Sequence, residues 1–318
     1  MKYNTKFDKR VNTKGVEDMK LAKTLSGVGI VALSALTLAA CGNSSSKDSS
    51  SSKATSSSSK KATSAKQTAG AKLQDGTYNL EETGYSHGYR AKVGITVAGN
   101  KITKATYDYV DKAGKSKTKD AAYEKQMKKV TKTGPKEYIP ALAKAFVAAQ
   151  ANTNGIEVVT GATESSQTFK NYAQQLVQAA QAGNTATIKV ANTAKMQDGT
   201  YKLEEKNYSH GYRTVFSITV AGGKITESNY DNIDKSGKSK TKDAAYEKQM
   251  KKVNKVGPVE YTKALNKALV SKQNPAEIQV VSGATHSSDS FILYAEQLIN
   301  AAQAGNTKTI MVDNVVTE

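Results

Sequence analysis

The chain has 318 residues, 38% of them hydrophobic, and a mean hydropathy of −0.55. That is room for two ordinary domains with a core each, and nothing after residue 41 is apolar for long enough to span a bilayer. The formal charge of +18 is spread along the chain rather than gathered into a stripe with interleaved aromatics, which argues against nucleic acid and suits an anionic membrane surface or wall polymer. A single cysteine excludes an intramolecular disulfide, a cysteine zinc cage and an iron–sulfur site, and no CxxCH accompanies the three histidines. Any redox chemistry must therefore come from a bound cofactor.

In chain order, the first element is an export signal. Leu25 to Ala40 carries no charge, Lys20 and Lys23 precede it, and Cys41 follows directly. The apolar run has the length of a signal h-region and is short for a membrane helix. Leu38-Ala39-Ala40-Cys41 resembles the bacterial lipobox, so residues 1–40 are expected to be a signal peptide and Cys41 the lipidated residue, a membrane lipid anchor. Gly42 to Gly70 then holds twelve serines and five lysines with no aromatic or large aliphatic side chain. Such a segment cannot bury enough surface to offset its ordering entropy. Residues 41–74 read as a tether, a coil spanning roughly 30 Å on average and about 100 Å at full stretch.

Beyond the tether the sequence repeats itself. Asp75-Gly-Thr-Tyr78 returns as Asp198-Gly-Thr-Tyr201, Tyr85-Ser-His-Gly-Tyr-Arg90 as Tyr208-Ser-His-Gly-Tyr-Arg213, and Gly114–Val130 is identical to Gly237–Val253. A period this long marks duplicated domains, placed at 75–190 and 198–318. Within each, alternating segments flanking Gly99-Asn100 or Gly222-Gly223 predict a hairpin, and helical patterns follow at Asp120–Val130 and Ile139–Gln150. The last helix is the clearest, with Phe169, Tyr172, Ala173, Leu176, Val177 and Ala180 on one face and Phe291, Tyr294, Ala295, Leu298, Ile299 and Ala302 repeating it. Strands first and helices later predict an α+β fold with an antiparallel sheet and packed helices.

The candidate site is the segment between these helices: Glu157-Val-Val-Thr160-Gly161-Ala162-Thr163 in one repeat and Gln279-Val-Val-Ser282-Gly283-Ala284-Thr285 in the other. A short β-branched strand is expected to run into a Gly turn, with Thr163 or Thr285 capping the helix that follows. The first turn of a helix is also an anion site, where Gly161 or Gly283 would let a ligand approach the backbone. From the residues alone, a plain helix cap is the commoner reading.

Over nearly its whole length each repeat resembles the FMN-binding domain of sodium-pumping NADH:quinone reductase and related electron-transport complexes. Two such domains behind a lipobox and a Ser/Lys tether are similar to the pheromone-encoding lipoproteins of Gram-positive extracellular electron transfer. In that family a flavin transferase joins FMN through its phosphate to the last Thr of D-x-x-[S/T]-G-A-T. The resemblance implies covalent FMN at Thr163 and Thr285, within a motif that includes Thr160, Gly161 and Ala162, or Ser282, Gly283 and Ala284. The leading Asp is Glu157 in the first repeat and Gln279 in the second, which loses the charge.

Tyr85/Tyr208, Tyr89/Tyr212 and Tyr123/Tyr246 could stack on a flavin ring or pack in the core. His87 and His210 could hydrogen-bond a reduced flavin or simply face solvent, and Lys112–Lys119 reads as a solvated loop. The resemblance thus implies an electron-transfer flavoprotein rather than a stand-alone enzyme, anchored on the outer face of the cell membrane and extending into the cell wall. Its expected partners are a membrane quinol-linked donor and external acceptors such as ferric iron. The alternatives are a non-redox surface lipoprotein binding wall polymer or a solute, and a precursor of a pheromone cut from its signal peptide.

Overall fold

A computed structural model describes residues 67–317; the expected signal peptide, Cys41 and most of the expected tether lie outside the described residues. Both repeats fall within one compact unit. Each contains a four-stranded sheet and three helices, with the same element order.

In repeat 1, β1 (Gln67–Ala69) precedes the sheet strands β2 (Gly76–Glu82), β3 (Arg90–Ala98) and β4 (Lys101–Val110). Two helices follow, α1 (Ala121–Thr131) and α2 (Pro135–Ala149), and then α3 (Thr163–Ala182) and β5 (Ile188–Val190). Repeat 2 runs β6 (Gly199–Glu205), β7 (Arg213–Ala221), β8 (Lys224–Ile233), α4 (Ala244–Asn254), α5 (Pro258–Lys272), α6 (Thr285–Ala304), β9 (Ile310–Val312) and β10 (Val316–Thr317). The sheet orders are β4-β3-β2-β5 and β8-β7-β6-β9. The α+β expectation holds, with one refinement: the edge strands β5 and β9 pair parallel to β2 and β6, because each returns from a long helix.

The hairpin expected around Gly99-Asn100 joins β3 to β4. Both turn residues take positive φ, 58° and 61°, the combination that matches the twist of a two-residue turn. One face of each sheet carries the core. Tyr78, Leu80, Val93, Ile95 and Ile102 meet Leu142 and Phe146 of α2 and Phe169, Tyr172 and Leu176 of α3. Repeat 2 rebuilds this with Tyr201, Leu203, Phe216, Ile218, Leu265, Leu269, Phe291, Tyr294 and Leu298.

Three expectations need correction. Helix α2 starts at Pro135, four residues before the expected Ile139, because Gly134 ends the previous turn and a proline is tolerated at the first helical position. The tether ends sooner than residue 74, since Gln67–Ala69 pairs antiparallel with the C-terminal strand β10. Residues 157–160 form no strand, and their backbone is held in a loop by the start of α3.

Candidate functional site

The loop before α3 is fixed by a serine. Ser166, fully buried, donates from Oγ to the Ala162 carbonyl at 2.8 Å and accepts the Val159 N–H at 3.0 Å. Ser288 repeats both bonds with Ala284 and Val281. The helix cap is Ala162 or Ala284, with no side-chain cap, so Thr163 and Thr285 are the first helical residues. The expected threonine cap is therefore corrected: both hydroxyls are exposed and free for other chemistry beside the positive end of a 20-residue helix.

Gly161 and Gly283 have φ of 82° and 81°. A Cβ at Gly161 would lie 2.4 Å from the Thr131 carbonyl oxygen, and one at Gly283 2.3 Å from that of Asn254. The backbone conformation and the close end of α1 or α4 already require glycine at both positions. Thr160 and Ser282 are exposed on the same loops, as are Glu157 and Gln279, the residues at the motif's leading position.

Next to each loop lies a cavity, of about 460 Å³ in repeat 1 and 640 Å³ in repeat 2, sizes that suit a cofactor. Gly283, Ala284 and Thr285 line the second cavity, whereas in the first the wall begins one residue later, at Glu164 and Ser165. His87 and His210 line the two cavities from matching turns. Their backbone is left-handed, φ 50° and 51°, in the tight turn Ser86–Tyr89 and its copy Ser209–Tyr212.

The residue missed by sequence reasoning is Lys117. It lies in the run expected to be a solvated loop, yet it is 8% exposed. Its Nζ sits 4.1 Å from the Tyr123 ring centre, 4.9 Å from Tyr109 and 5.1 Å from Tyr89. Lys240 repeats two of these contacts, with Tyr246 at 4.2 Å and Tyr212 at 4.8 Å, while Asn232 stands at the position of Tyr109. The tyrosines therefore pack around a cation and against one another, as an aromatic cage.

Asp120 orders this cage by capping α1 through the Tyr123 N–H and accepting the Tyr89 hydroxyl at 2.7 Å. That hydrogen bond, more than burial, pushes Tyr89 up to about 12, so the phenol stays protonated; Tyr212 on Asp243 behaves alike. The signal in the sequence was the duplicated Ser116-Lys-Thr-Lys-Asp120, in which a Ser cap and an Asp cap flank a short 3-10 turn.

At the back of the first cavity is a buried carboxylate. Glu82 accepts the Tyr172 hydroxyl and the Ala91 N–H, both at 2.6 Å, and Glu205 does the same with Tyr294 and the Thr214 N–H. Burial raises the Glu82 carboxyl, against the opposing effect of these hydrogen bonds and of Lys117. An aromatic cage holding a cation, an exposed hydroxyl at a helix start and hydrogen-bonding groups across a cavity form a donor set that fits a planar, anionic cofactor such as FMN.

Comparison with known proteins agrees with that chemistry. The FMN-binding domain family model matches residues 84–178. A 15 kDa lipoprotein of Treponema pallidum is 32% identical over 119 residues, which cover 37% of this chain and 84% of that protein. A crystal structure of a Clostridium perfringens protein is 37% identical and covers 37% of this chain and 98% of its own, with a TM-score of 0.36. A solution structure from Clostridium thermocellum is 25% identical over 34% of this chain and 92% of its own, with a TM-score of 0.24. With the domain model and the lipoprotein relative both matched, this chain belongs to the FMN-binding domain lipoproteins.

Proposed function

We propose that the protein is a lipid-anchored flavoprotein that carries two FMN groups, joined as phosphoesters to Thr163 and Thr285 by a flavin transferase, and relays electrons from a membrane quinol-linked donor to acceptors outside the cell, such as ferric iron. The observation that carries the reading is the pair of equivalent cavities, each with an exposed threonine hydroxyl at or beside its rim and a caged lysine in its wall. When bound, FMN supplies reversible acceptance of electrons with proton uptake.

The chain's own residues do the rest. The first turn of α3 or α6 offers N–H groups and a dipole to the phosphate end. Lys117 and Lys240 place positive charge in the cavity walls, where it favours an anionic guest. A covalent tie also has a physical motive at an outer surface, because rebinding becomes intramolecular and dilution no longer removes the cofactor.

Intact mass of the chain matured with and without a flavin transferase tests this directly. The wild type is expected to gain two FMN units, each less one water, Thr163→Ala and Thr285→Ala one each, and the double variant none. Covalent flavin on the double variant would overturn the assignment. Cells carrying the double variant are expected to lose most reduction of ferric oxide at normal lipoprotein levels. Unchanged reduction would leave a flavoprotein without this role.

A further inference from the structure

Each cavity is closed by the other repeat, and the same structural positions are used in both directions. Asn152, Asn154 and Gln174 of repeat 1 line the cavity of repeat 2. Their equivalents 122 residues on, Asn274, Ala276 and Glu296, line the cavity of repeat 1. The exchange is held by direct bonds between repeats: Asn171 to Asn300 at 2.8 Å and Asn154 to the Ser290 hydroxyl at 3.2 Å. Symmetry fails at one chemically important place. Repeat 1 presents a neutral amide, Gln174, to its neighbour's cavity, whereas repeat 2 presents a carboxyl, Glu296.

We propose that Glu296, supplied by repeat 2, is a proton-binding group facing the FMN of repeat 1, so that the two flavin sites have potentials that depend differently on pH. This rests on the FMN reading of the cavities. The groups facing Glu296 are Glu164, Lys170, Asn171 and Tyr172 of α3, with Asp289 of its own helix beyond Lys170; Glu82, His87, Tyr109, Lys117 and Tyr123 are the other charged or titratable groups around the cavity. Burial, and then the Glu164 carboxylate, raise the Glu296 carboxyl to about 8 against the pull of Asn171 and Lys170.

Electrons delivered to the ring by a reductant such as dithionite add negative charge to the cavity and so strengthen proton binding at Glu296. Above about pH 8, where Glu296 is ionised before reduction, its carboxylate takes one proton from solvent for each two electrons accepted. Below that range the carboxyl is protonated in both states and has no effect. Glu296 is thus a positioning and tuning residue rather than a catalytic one.

The test uses the full chain with Thr285→Ala, flavinylated so that FMN sits only on Thr163, in a spectroscopic redox titration across pH values on both sides of 8. Above about pH 8 the potential of this protein is expected to fall more steeply, by one extra proton per two electrons or about 30 mV per pH unit. Glu296→Gln removes the extra slope and coincides with its parent below that pH. In the converse background, Thr163→Ala, the slope is expected to be absent until Gln174→Glu supplies it. Independently of flavin, carboxyl NMR of the FMN-free chain is expected to show one signal titrating near pH 8 that Glu296→Gln removes.

Equal slopes in parent and Glu296→Gln, or a Glu296 carboxyl titrating near its ordinary value, would overturn the proposal with the flavin reading intact. Absence of FMN from the mass of the Thr285→Ala chain would instead overturn the site reading on which the proposal stands.

Discussion

Lys117 shows how little a residue's type says about its role until its neighbours are known. Within Lys112–Lys119 it is one of four lysines, and a charge run is normally a solvated face; here three tyrosines from β4, α1 and the preceding turn enclose one of them. The cage can hold an uncharged chain of similar length, so Lys117→Met is expected to change the stability of the FMN-free protein by no more than about 1–2 kcal/mol, the scale of a cation–π interaction. In the flavinylated protein the loss of a cation beside the cavity disfavours the added negative charge. The potential of the repeat 1 site is expected to fall by ~30–60 mV, equivalent to ~1.4–2.8 kcal/mol for a two-electron couple. Spectroscopic titration of Lys117→Met against wild type, each loaded only on Thr163, checks this, and an unchanged potential would remove Lys117 from the site's electrostatics. The repeated tyrosines were legible in the sequence as a conserved pattern between copies. Their caging of a lysine was not, because it depends on a 3-10 turn folding the run back over the sheet.

At the scale of elements, most of the fold was readable. The hairpin turn, the amphipathic face of α3 and the duplication rest on local periodicity and turn chemistry, which tertiary packing here leaves unaltered. What could not be read was the loop before α3, where three β-branched residues, Val158, Val159 and Thr160, suggested a strand but the Ser166 hydroxyl takes the Val159 N–H instead. This loop separates two effects that the threonine-cap expectation had merged. Thr163 caps nothing, so Thr163→Ala is expected to stay within about 0.5 kcal/mol of wild type in denaturant unfolding while abolishing flavinylation of repeat 1. Ser166→Ala strips the part-buried Val159 N–H of its acceptor and is expected to cost ~1–3 kcal/mol without removing the Thr163 hydroxyl. A Thr163→Ala chain as destabilised as Ser166→Ala would mean that the threonine has a structural role after all.

The duplication is legible as two domains, but the described residues of both repeats form a single unit whose interface the repeats' shared pattern could not foretell, because apart from Gln175 and its equivalent Gln297 the residues that meet there differ between the copies. The contact between α3 and α6 is polar, with Asn171, Gln175 and Gln178 of one helix meeting Gln297 and Asn300 of the other. Into this interface the chain places Lys170, 3% exposed, and Glu296, and burial lowers the lysine as it raises the carboxyl. A carboxyl whose folded value lies near 8 against an ordinary 4.5 stays protonated in the folded state while the unfolded chain has already released its proton. Between those two values the folded state binds more protons, so its stability falls as pH rises, and the contribution present below about 4.5 is lost by the time pH passes through about 8. A glutamine cannot ionise and avoids the loss. In the FMN-free full chain, Glu296→Gln is expected to match wild type near pH 4.5 and to become progressively the more stable protein up to pH 8 and just beyond, by ~1–4 kcal/mol once water in the cavity has screened part of the burial. Urea unfolding of the two chains at a series of pH values measures the difference. A constant offset would show that Glu296 does not titrate differently in the folded protein, whereas a widening gap would show that part of the interface's stability is given up to keep an ionisable group at the cavity of repeat 1.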